Sequence, residues 1–497
     1  MKKETKYILA IDQSTSATKV ILFDLNARPV ERVTVEHRQY YPQQGFVEHD
    51  PEEIFSNTVK GIRELMQQHP VSPAEISCLS ITNQRETAMI WDRKSGKPVS
   101  HAAVWQCQRG VPYCDKLKEE GYEEMINRKT GLLIDTYFSA SKLHWMMMNI
   151  RGLKERAKRG GLLLGTMDSW LLWKLTAGRV HATDYSNACR TMLFNIHTLQ
   201  WDNELIELFG LHRSMFPEPR FSDEIFGHTE PGVLFDEPLP IAGIMGDSHA
   251  ALFGQLCTEP GLGKATYGTG SSVMMNTGLK PMNPPDGLVT SIGFGMNREI
   301  HYVFEGNIHA TGDTINWLKN ELQLIDSASE TEELATGTDG NHGVYLVPAF
   351  VGLGAPYWDS KARASITGMS RDTTKAHVVR AALESIAYQI RDLTGLMEGE
   401  GNVQLQELRV DGGPTRNRFL MQFQADMLKR KVICSEIEEV SALGASFMAG
   451  LATSFWKSME EIASLKENAR VFEPSMDETE ADRLYEGWKK AVQRTRL

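Results

Sequence analysis

Two short hairpins of one design, half a chain apart, constrain this sequence more than anything else in it. In the first, Tyr7-Ile8-Leu9-Ala10-Ile11 runs as a strand straight into Asp12. A turn of hydroxyl-bearing residues, Ser14, Thr15, Ser16 and Thr18, follows, and Val20-Ile21-Leu22-Phe23 returns as a second strand. The second is Lys264-Ala265-Thr266-Tyr267-Gly268-Thr269-Gly270-Ser271-Ser272-Val273-Met274-Met275-Asn276, again strand, small hydroxylated tip and strand. Turn amides and hydroxyls are phosphate donors, and Asp12 stands where a metal ion beside phosphates would need a ligand. A polar hairpin tip with no ligand fits the same residues. Two such tips facing one another across a cleft would form a nucleotide clamp.

A chain of 497 residues is too long for one hydrophobic core and implies two or three domains. With 41% hydrophobic and 24% charged residues it is composed like a globular enzyme. No apolar run approaches the ~18 residues of a membrane span. The apolar stretch from Val344 to Trp358 is broken by Pro348, Gly352, Gly354 and Pro356. The basic Met1-Lys2-Lys3 precedes an apolar run that stops at Asp12, too short for a signal peptide. A net charge of −11 opposes non-specific nucleic-acid binding, so an anionic ligand must be held by local charge. Six scattered cysteines, with no Cys-x-x-Cys pair, read as reduced thiols of a cytoplasmic protein. No His-Glu-x-x-His, Cys/His cluster or complete P-loop occurs. Gly261-Leu262-Gly263-Lys264 resembles a P-loop only superficially.

Helices and strands alternate along the chain, which predicts an α/β layered architecture. Asp50-Pro51-Glu52-Glu53 is a helix start, with Ile54, Phe55, Val59, Ile62, Leu65 and Met66 on one face. Strands are expected over 78–82, 241–245 and 408–411. Helices are expected over 248–255, 377–397, 417–428 and 441–451. A domain boundary falls near 252–260, dividing the chain into residues 1–254 and 255–497.

Three strands end in an acid: Ile11-Asp12, Gly246-Asp247 and Val410-Asp411-Gly412-Gly413. Ligands of open α/β sheets bind beyond the carboxyl ends of strands, where an acid can hold Mg²⁺ or act as a base. Asp247 could equally cap the helix after it. Gly412-Gly413 permits close backbone approach, or a plain tight turn. Arg85-Glu86, after the strand over 78–82, can donate to and accept from neighbouring hydroxyls, or form a surface pair. Trp105 and Tyr137 read locally as packing residues.

Over essentially its whole length the chain resembles the FGGY carbohydrate-kinase family, and within it the members that phosphorylate glycerol. The segments that carry the resemblance are 45–51 (Gly-Phe-Val-Glu-His-Asp-Pro), 81–87, Val104-Trp105-Gln106-Cys107, 137–145, 190–198, 348–359 and 364–384. The resemblance implies two actin-like (ribonuclease-H-like) domains with ATP and a small polyol in the cleft between them. It implies transfer of the ATP γ-phosphoryl group to a primary hydroxyl, from glycerol to sn-glycerol 3-phosphate, assisted by Mg²⁺ near Asp12 and Asp247. By position, ATP would meet Thr15, Ser16, Ala17 and Lys19 on the first hairpin and Thr269 on the second. Gly312, Asn316, Gly413 and Asn417 would complete its pocket. The polyol would meet Arg85, Glu86, Tyr137, Asp247, Ser248 and Ser272, with Trp105 against its carbon face and Asp247 as general base. Homo-oligomers are compatible with the resemblance.

The chain departs from the family pattern at informative places. Ser14 replaces a glycine, Ala17 a serine and Lys19 an arginine, the last keeping charge but losing the planar fork. Ser248-His249 follows the catalytic acid where glutamine is usual, and Ser272 stands where a phenylalanine lines the polyol pocket. Asn307-Ile308-His309-Ala310 is more polar than the family norm. A longer polyol (erythritol, threitol, a pentitol) or a ketose is therefore an alternative acceptor. A non-catalytic nucleotide-binding regulator is the alternative of another class, opposed by the joint presence of Asp12, Asp247, Arg85 and Glu86.

Overall fold

Both hairpins form, and each is the centre of a mixed sheet. The computed structural model describes residues 5–357, 359–401, 403–465 and 469–496. Trp358 of the 348–359 segment and Met1-Lys2-Lys3 lie outside the described residues.

The first sheet is built from β1 (Tyr7–Gln13), β2 (Ala17–Asp24), β3 (Pro29–Glu36), β4 (Ile76–Asn83), β5 (Ile225–His228) and β6 (Pro240–Gly246), in the order β5-β6-β4-β1-β2-β3. β1, β2 and β3 run as an antiparallel meander, whereas β4 and β6 lie parallel to β1 and β5 closes the edge antiparallel. The second sheet repeats this plan. It comprises β7 (Leu262–Tyr267), β8 (Ser271–Gly278), β9 (Val289–Met296), β10 (Glu299–Ile308), β11 (Glu407–Asp411), β12 (Lys431–Cys434) and β13 (Arg470–Phe472), in the order β9-β10-β8-β7-β11-β12-β13. Here β7, β8 and β10 form the meander, β11 and β12 are the parallel strands and β13 is the antiparallel edge. The expected strand centres are right, and the strands run one to three residues further because flanking polar residues still pair in the ladder.

The register explains why strand ends matter. Gln13 pairs with Asn83 and Asn83 with Gly246, so β1, β4 and β6 all finish at one edge of the first sheet. In the second sheet Thr266 pairs with Asp411, which brings the second hairpin tip beside the Gly412-Gly413 turn.

Helices pack on these sheets as the apolar periodicity requires. α1 (Pro51–Gln68) starts at Asp50, whose carboxylate accepts the Glu52 amide at 2.9 Å, and buries Ile54, Ile62 and Leu65. α2 (Asp247–Gly254) follows β6, α3 (Gly312–Asn320) follows β10, and α4 (Lys375–Gly401) is the long helix. α5 (Arg418–Leu428) is capped by the Asn417 side chain, which accepts the Leu420 amide, so Asn417 precedes the helix rather than opening it. α6 (Val440–Ala452), from the second half of the chain, packs on β1, β4 and β6 of the first sheet and on α2. Small residues make that packing close. A Cβ on Gly444 would collide with the Ala250 carbonyl, and one on Gly254 with the Val440 carbonyl. Among the described residues no helix is long and apolar enough to cross a membrane. All six cysteine side chains are buried, and none is in a disulfide.

Candidate active site

The turn that leaves β4 carries the centre of the site. Arg85 adopts a positive φ of 50°, a conformation rare outside glycine, and this turns its side chain back over the strand ends. Its Nε lies 3.1 Å from Asp247 Oδ1, its Nη1 is 2.9 Å from Glu305 Oε1, and its Nη2 donates to the Tyr137 hydroxyl at 3.0 Å. Asp247 is the first residue of α2. The helix cap is Gly246, whose amide is taken by the Ser186 hydroxyl at 2.9 Å, and the Asp247 carboxylate accepts only the next amide, that of Ser248, at 2.6 Å. The capping alternative is thereby overturned: Asp247 stands one position past the cap, with its carboxylate turned toward Arg85. Its side chain keeps 33% exposure, whereas Glu86 and Glu305 beneath it have 0% and 1%.

A second arginine, Arg190, locks the floor. It donates to Glu86 Oε1 at 2.7 Å, Ser291 Oγ at 2.9 Å and Glu305 Oε2 at 2.7 Å. Two guanidiniums and two carboxylates thus alternate in a buried network spanning both sheets. Such a network fixes geometry more than it stabilises, because desolvation opposes the Coulomb gain. Burial pushes the Glu305 carboxyl up, but Arg190 and Arg85 outweigh it and hold it at about 2. For Asp247 the balance is reversed: burial raises its pKa, Glu86 adds to this, and Arg85 only partly offsets it. A carboxylate raised toward neutrality is suited to accept a proton. Asp12 is likewise lifted by burial to about 6, with Lys19, its cross-strand partner, opposing and the Asp247 charge assisting.

The walls follow. Tyr137 is positioned by buried Lys142, whose Nζ donates to the carbonyls of Thr136 and Tyr137 at 2.9 and 2.7 Å. Trp105 stands edge-on to Tyr137, ring centroids 5.4 Å apart, and its indole N–H donates to Thr15 Oγ1 at 2.9 Å. Trp105 therefore joins the Tyr137 wall to the first hairpin tip, a role that reading it as packing did not suggest.

On the other side, Ser14 closes the first tip by donating to the Ala17 carbonyl at 2.9 Å, leaving Ser16 exposed and Thr15 half-buried. Lys19 lies on β2 beside Asp12. At the second tip Thr269 is exposed, and its carbonyl accepts the amides of Thr311 and Asp313 at 2.9 and 3.0 Å, which pins the start of α3 to the tip. Gly312 must be glycine there, since a Cβ would press on the Gly268 carbonyl. Asn316 lies exposed one turn on. Gly412 has a φ of 100° against the Tyr267 carbonyl, and Gly413 is exposed behind it. Asn417 Nδ2 donates to Thr331 Oγ1 at 3.0 Å. Asp411 accepts from Gln255 and Thr266, each at 3.1 Å, so the third strand-end acid braces the second hairpin. The structure thus groups Arg85, Glu86, Tyr137, Trp105 and Asp247 directly, and groups Thr269 with Gly312 and the second tip with Gly413.

Sequence reasoning missed Arg190 and Glu305 as site residues. Arg190 opens the 190–198 segment, but its partners lie over a hundred positions away in either direction. Among the buried side-chain atoms of the described residues that have no hydrogen-bond partner, five belong to this region: Glu86 Oε2, both His249 ring nitrogens, Lys264 Nζ and Ser272 Oγ. Among the described residues no group of three or more His, Cys, Asp or Glu side chains is arranged to hold a metal ion.

Residues 7–254 match the N-terminal domain, and residues 263–453 the C-terminal domain, of the FGGY family of carbohydrate kinases. Glycerol kinase 1 of Thermotoga maritima is 53% identical over 488 residues, 98% of this chain and 99% of its own. Glycerol kinase 2 of the same organism is 50% identical over 490 residues, 99% of each chain. Among solved structures, Plasmodium falciparum glycerol kinase with ADP superposes with a TM-score of 0.95 at 36% identity, covering 99% of both chains. A xylulose kinase of Lactobacillus acidophilus shares the fold at 20% identity, with a TM-score of 0.88 over 98% of each chain.

Proposed function

This chain belongs to the FGGY family of carbohydrate kinases, and from that premise we propose that it transfers the γ-phosphoryl group of ATP to a primary hydroxyl of glycerol, giving sn-glycerol 3-phosphate. Relatives named glycerol kinase, half-identical along the full chain, support the substrate. The observation that carries the mechanism is the Arg85–Asp247 pair at 3.1 Å over a buried floor.

Phosphoryl transfer requires positioning and charge stabilisation more than covalent chemistry. The acceptor lies against Trp105 and Tyr137, with hydroxyls on Arg85, Glu86 and Ser248. Its reacting hydroxyl gives its proton to Asp247 as the oxygen–phosphorus bond forms and the bond to the ADP oxygen breaks. Thr15, Ser16, Ala17 and Lys19 hold the phosphates from one lobe, residues 1–254. Thr269 holds them from the other, residues 255–497, where Gly312, Asn316, Gly413 and Asn417 receive the rest of the nucleotide. Asp12 and Asp247 would hold Mg²⁺, which takes one or two carboxylates plus substrate phosphates; Asp12 is buried, Asp247 is partly exposed, and the Asp247 charge acts against ionisation of Asp12. When bound, the ion would neutralise charge on the phosphate oxygens. Use of ATP suits a cytoplasmic location.

The test is ADP release by the purified chain with Mg-ATP, with and without glycerol, and identification of the phosphorylated product. Glycerol-dependent ADP and glycerol 3-phosphate are expected; ATP hydrolysis indifferent to glycerol and to other alcohols overturns the reading.

A further inference from the structure

Of the five buried polar atoms without partners at the site, four lie on residues that the glycerol reading leaves unused. Glycerol has three hydroxyls. One faces Asp247 in the reaction, and the other two are engaged by Arg85, Glu86 and Ser248 in the reading above. That leaves His249, Lys264 and Ser272.

Lys264 and Ser272 share a sheet face, and His249 stands beside Asp247. Ser272 pairs across β8 with Thr266 on one side and Asn307 on the other, while Met274, two residues on, pairs with Lys264 and Glu305. Alternation along a strand puts Lys264, Ser272 and Glu305 on one face of the second sheet. That is the face from which Glu305 reaches Arg85 and Arg190. His249 projects from the first turn of α2, two residues past Asp247. The charges acting on its ring are those of Arg85, Glu305, Arg190 and Lys264. Both its ring nitrogens are buried without a hydrogen-bond partner, and a neutral imidazole has one N–H to donate and one lone pair to accept. Ser272 offers one of each as well. Buried polar groups are ordinarily satisfied, and a cluster of unsatisfied ones marks where a ligand supplies the partners.

We propose that the acceptor site extends past the length of glycerol, and that His249 and Ser272 bind a further hydroxyl of a linear four- or five-carbon polyol. A polyol suits the cluster better than a ketose, because each carbon carries a group that both donates and accepts, whereas a carbonyl cannot donate. The chemistry is unchanged: the γ-phosphorus leaves the ADP oxygen and bonds to a terminal hydroxyl oxygen, whose proton passes to Asp247. This inference rests on the phosphoryl-transfer reading above.

The experiment measures kcat/KM with Mg-ATP for glycerol, erythritol, D- and L-threitol, ribitol, xylitol and D-xylulose. It is repeated with Ser272→Phe, Ser272→Ala and His249→Gln. At least one tetritol or pentitol is expected to match or exceed glycerol. Ser272→Phe is expected to shift the ratio toward glycerol at least tenfold, and Ser272→Ala, which alters volume little, in the same direction. The ratio within one variant is independent of how much of it folds. Glycerol preferred more than tenfold over every longer polyol overturns the inference and leaves the kinase reading standing, as does a ratio unmoved in all three variants. D-xylulose preferred over every polyol overturns the polyol class. Phosphorylation of no acceptor at all overturns both readings together.

Discussion

The indole N–H of Trp105 donates to the hydroxyl of Thr15 at 2.9 Å, so one hydrogen bond joins the wall of the acceptor pocket to the tip of the first phosphate hairpin. The acceptor wall and the phosphate loop therefore share a geometry. Trp105→Phe keeps an aromatic wall and removes the bond. Its expected effect is a rise in KM for ATP as well as for the acceptor, each about three- to tenfold, the range of one lost hydrogen bond. Steady-state kinetics with both substrates varied check this; a change confined to the acceptor KM would show that the bond does not order the hairpin.

Asp247→Asn should lower kcat at least about a hundredfold, the lower range for loss of a general base. The fold should survive, because the α2 cap is Gly246 and not Asp247. Near-normal turnover with an unchanged circular dichroism spectrum would remove Asp247 from the mechanism.

The same residue sets a pH dependence. Burial raises the Asp247 carboxyl, and Arg85 only partly opposes it. The base works when ionised, so kcat/KM should fall as pH drops, with the midpoint above the ordinary carboxylate value of 3.8. Weakening the opposing charge with Arg85→Lys should move that acid limb to still higher pH. A limb that stays in place in this variant would exclude Asp247 as its origin.

Asp12 makes a contrary statement about stability. Its pKa stands at about 6 in the folded chain against 3.8, chiefly through burial. A carboxyl raised by folding favours the folded state when protonated. That contribution is whole below about pH 4 and is lost as pH rises through about 6. The full loss corresponds to about 3 kcal/mol. In metal-free buffer Asp12→Asn should therefore melt above the wild type at pH 8, with the gap closing toward pH 4. Thermal denaturation at both pH values decides it; an equal gap would show that the burial of Asp12 is compensated elsewhere.

Nucleotide binding should register in both halves of the chain at once. Hydrogen exchange with and without ATP is expected to show protection over 12–19, 266–272 and 411–417 together. Protection confined to one half would contradict a clamp.

Much of this was legible in the sequence, for a local reason. Asp12, Asp247 and Asp411 each follow an apolar strand directly, and the end of a parallel strand is where an α/β sheet binds its ligand. The duplicated sheet showed itself through Thr15 and Thr269, because a hairpin tip is encoded within a dozen residues. What stayed hidden was assembled at long range. Arg190 bridges Glu86 and Glu305 across more than a hundred residues either way, and no spacing rule connects them. Lys264 read as a false echo of a P-loop, yet it is a fully buried lysine on the sheet face that carries Glu305. The Trp105–Thr15 bond joins residues 90 apart, and neither position reveals the other.

Where α2 crosses α6, Gly254 and Gly444 leave no side chain between the helices, and each backbone rests on the carbonyls of the other. Polypeptide against polypeptide cannot be compressed, so the two helices can come no closer at that point, and a side chain at either glycine would have to push them apart. α6 is held at the same time against β1, β4 and β6, so the helix free to yield is α2. Asp247 begins α2, about two helical turns from Gly254, and a methyl group added at that distance would be felt as a displacement of the reacting carboxylate.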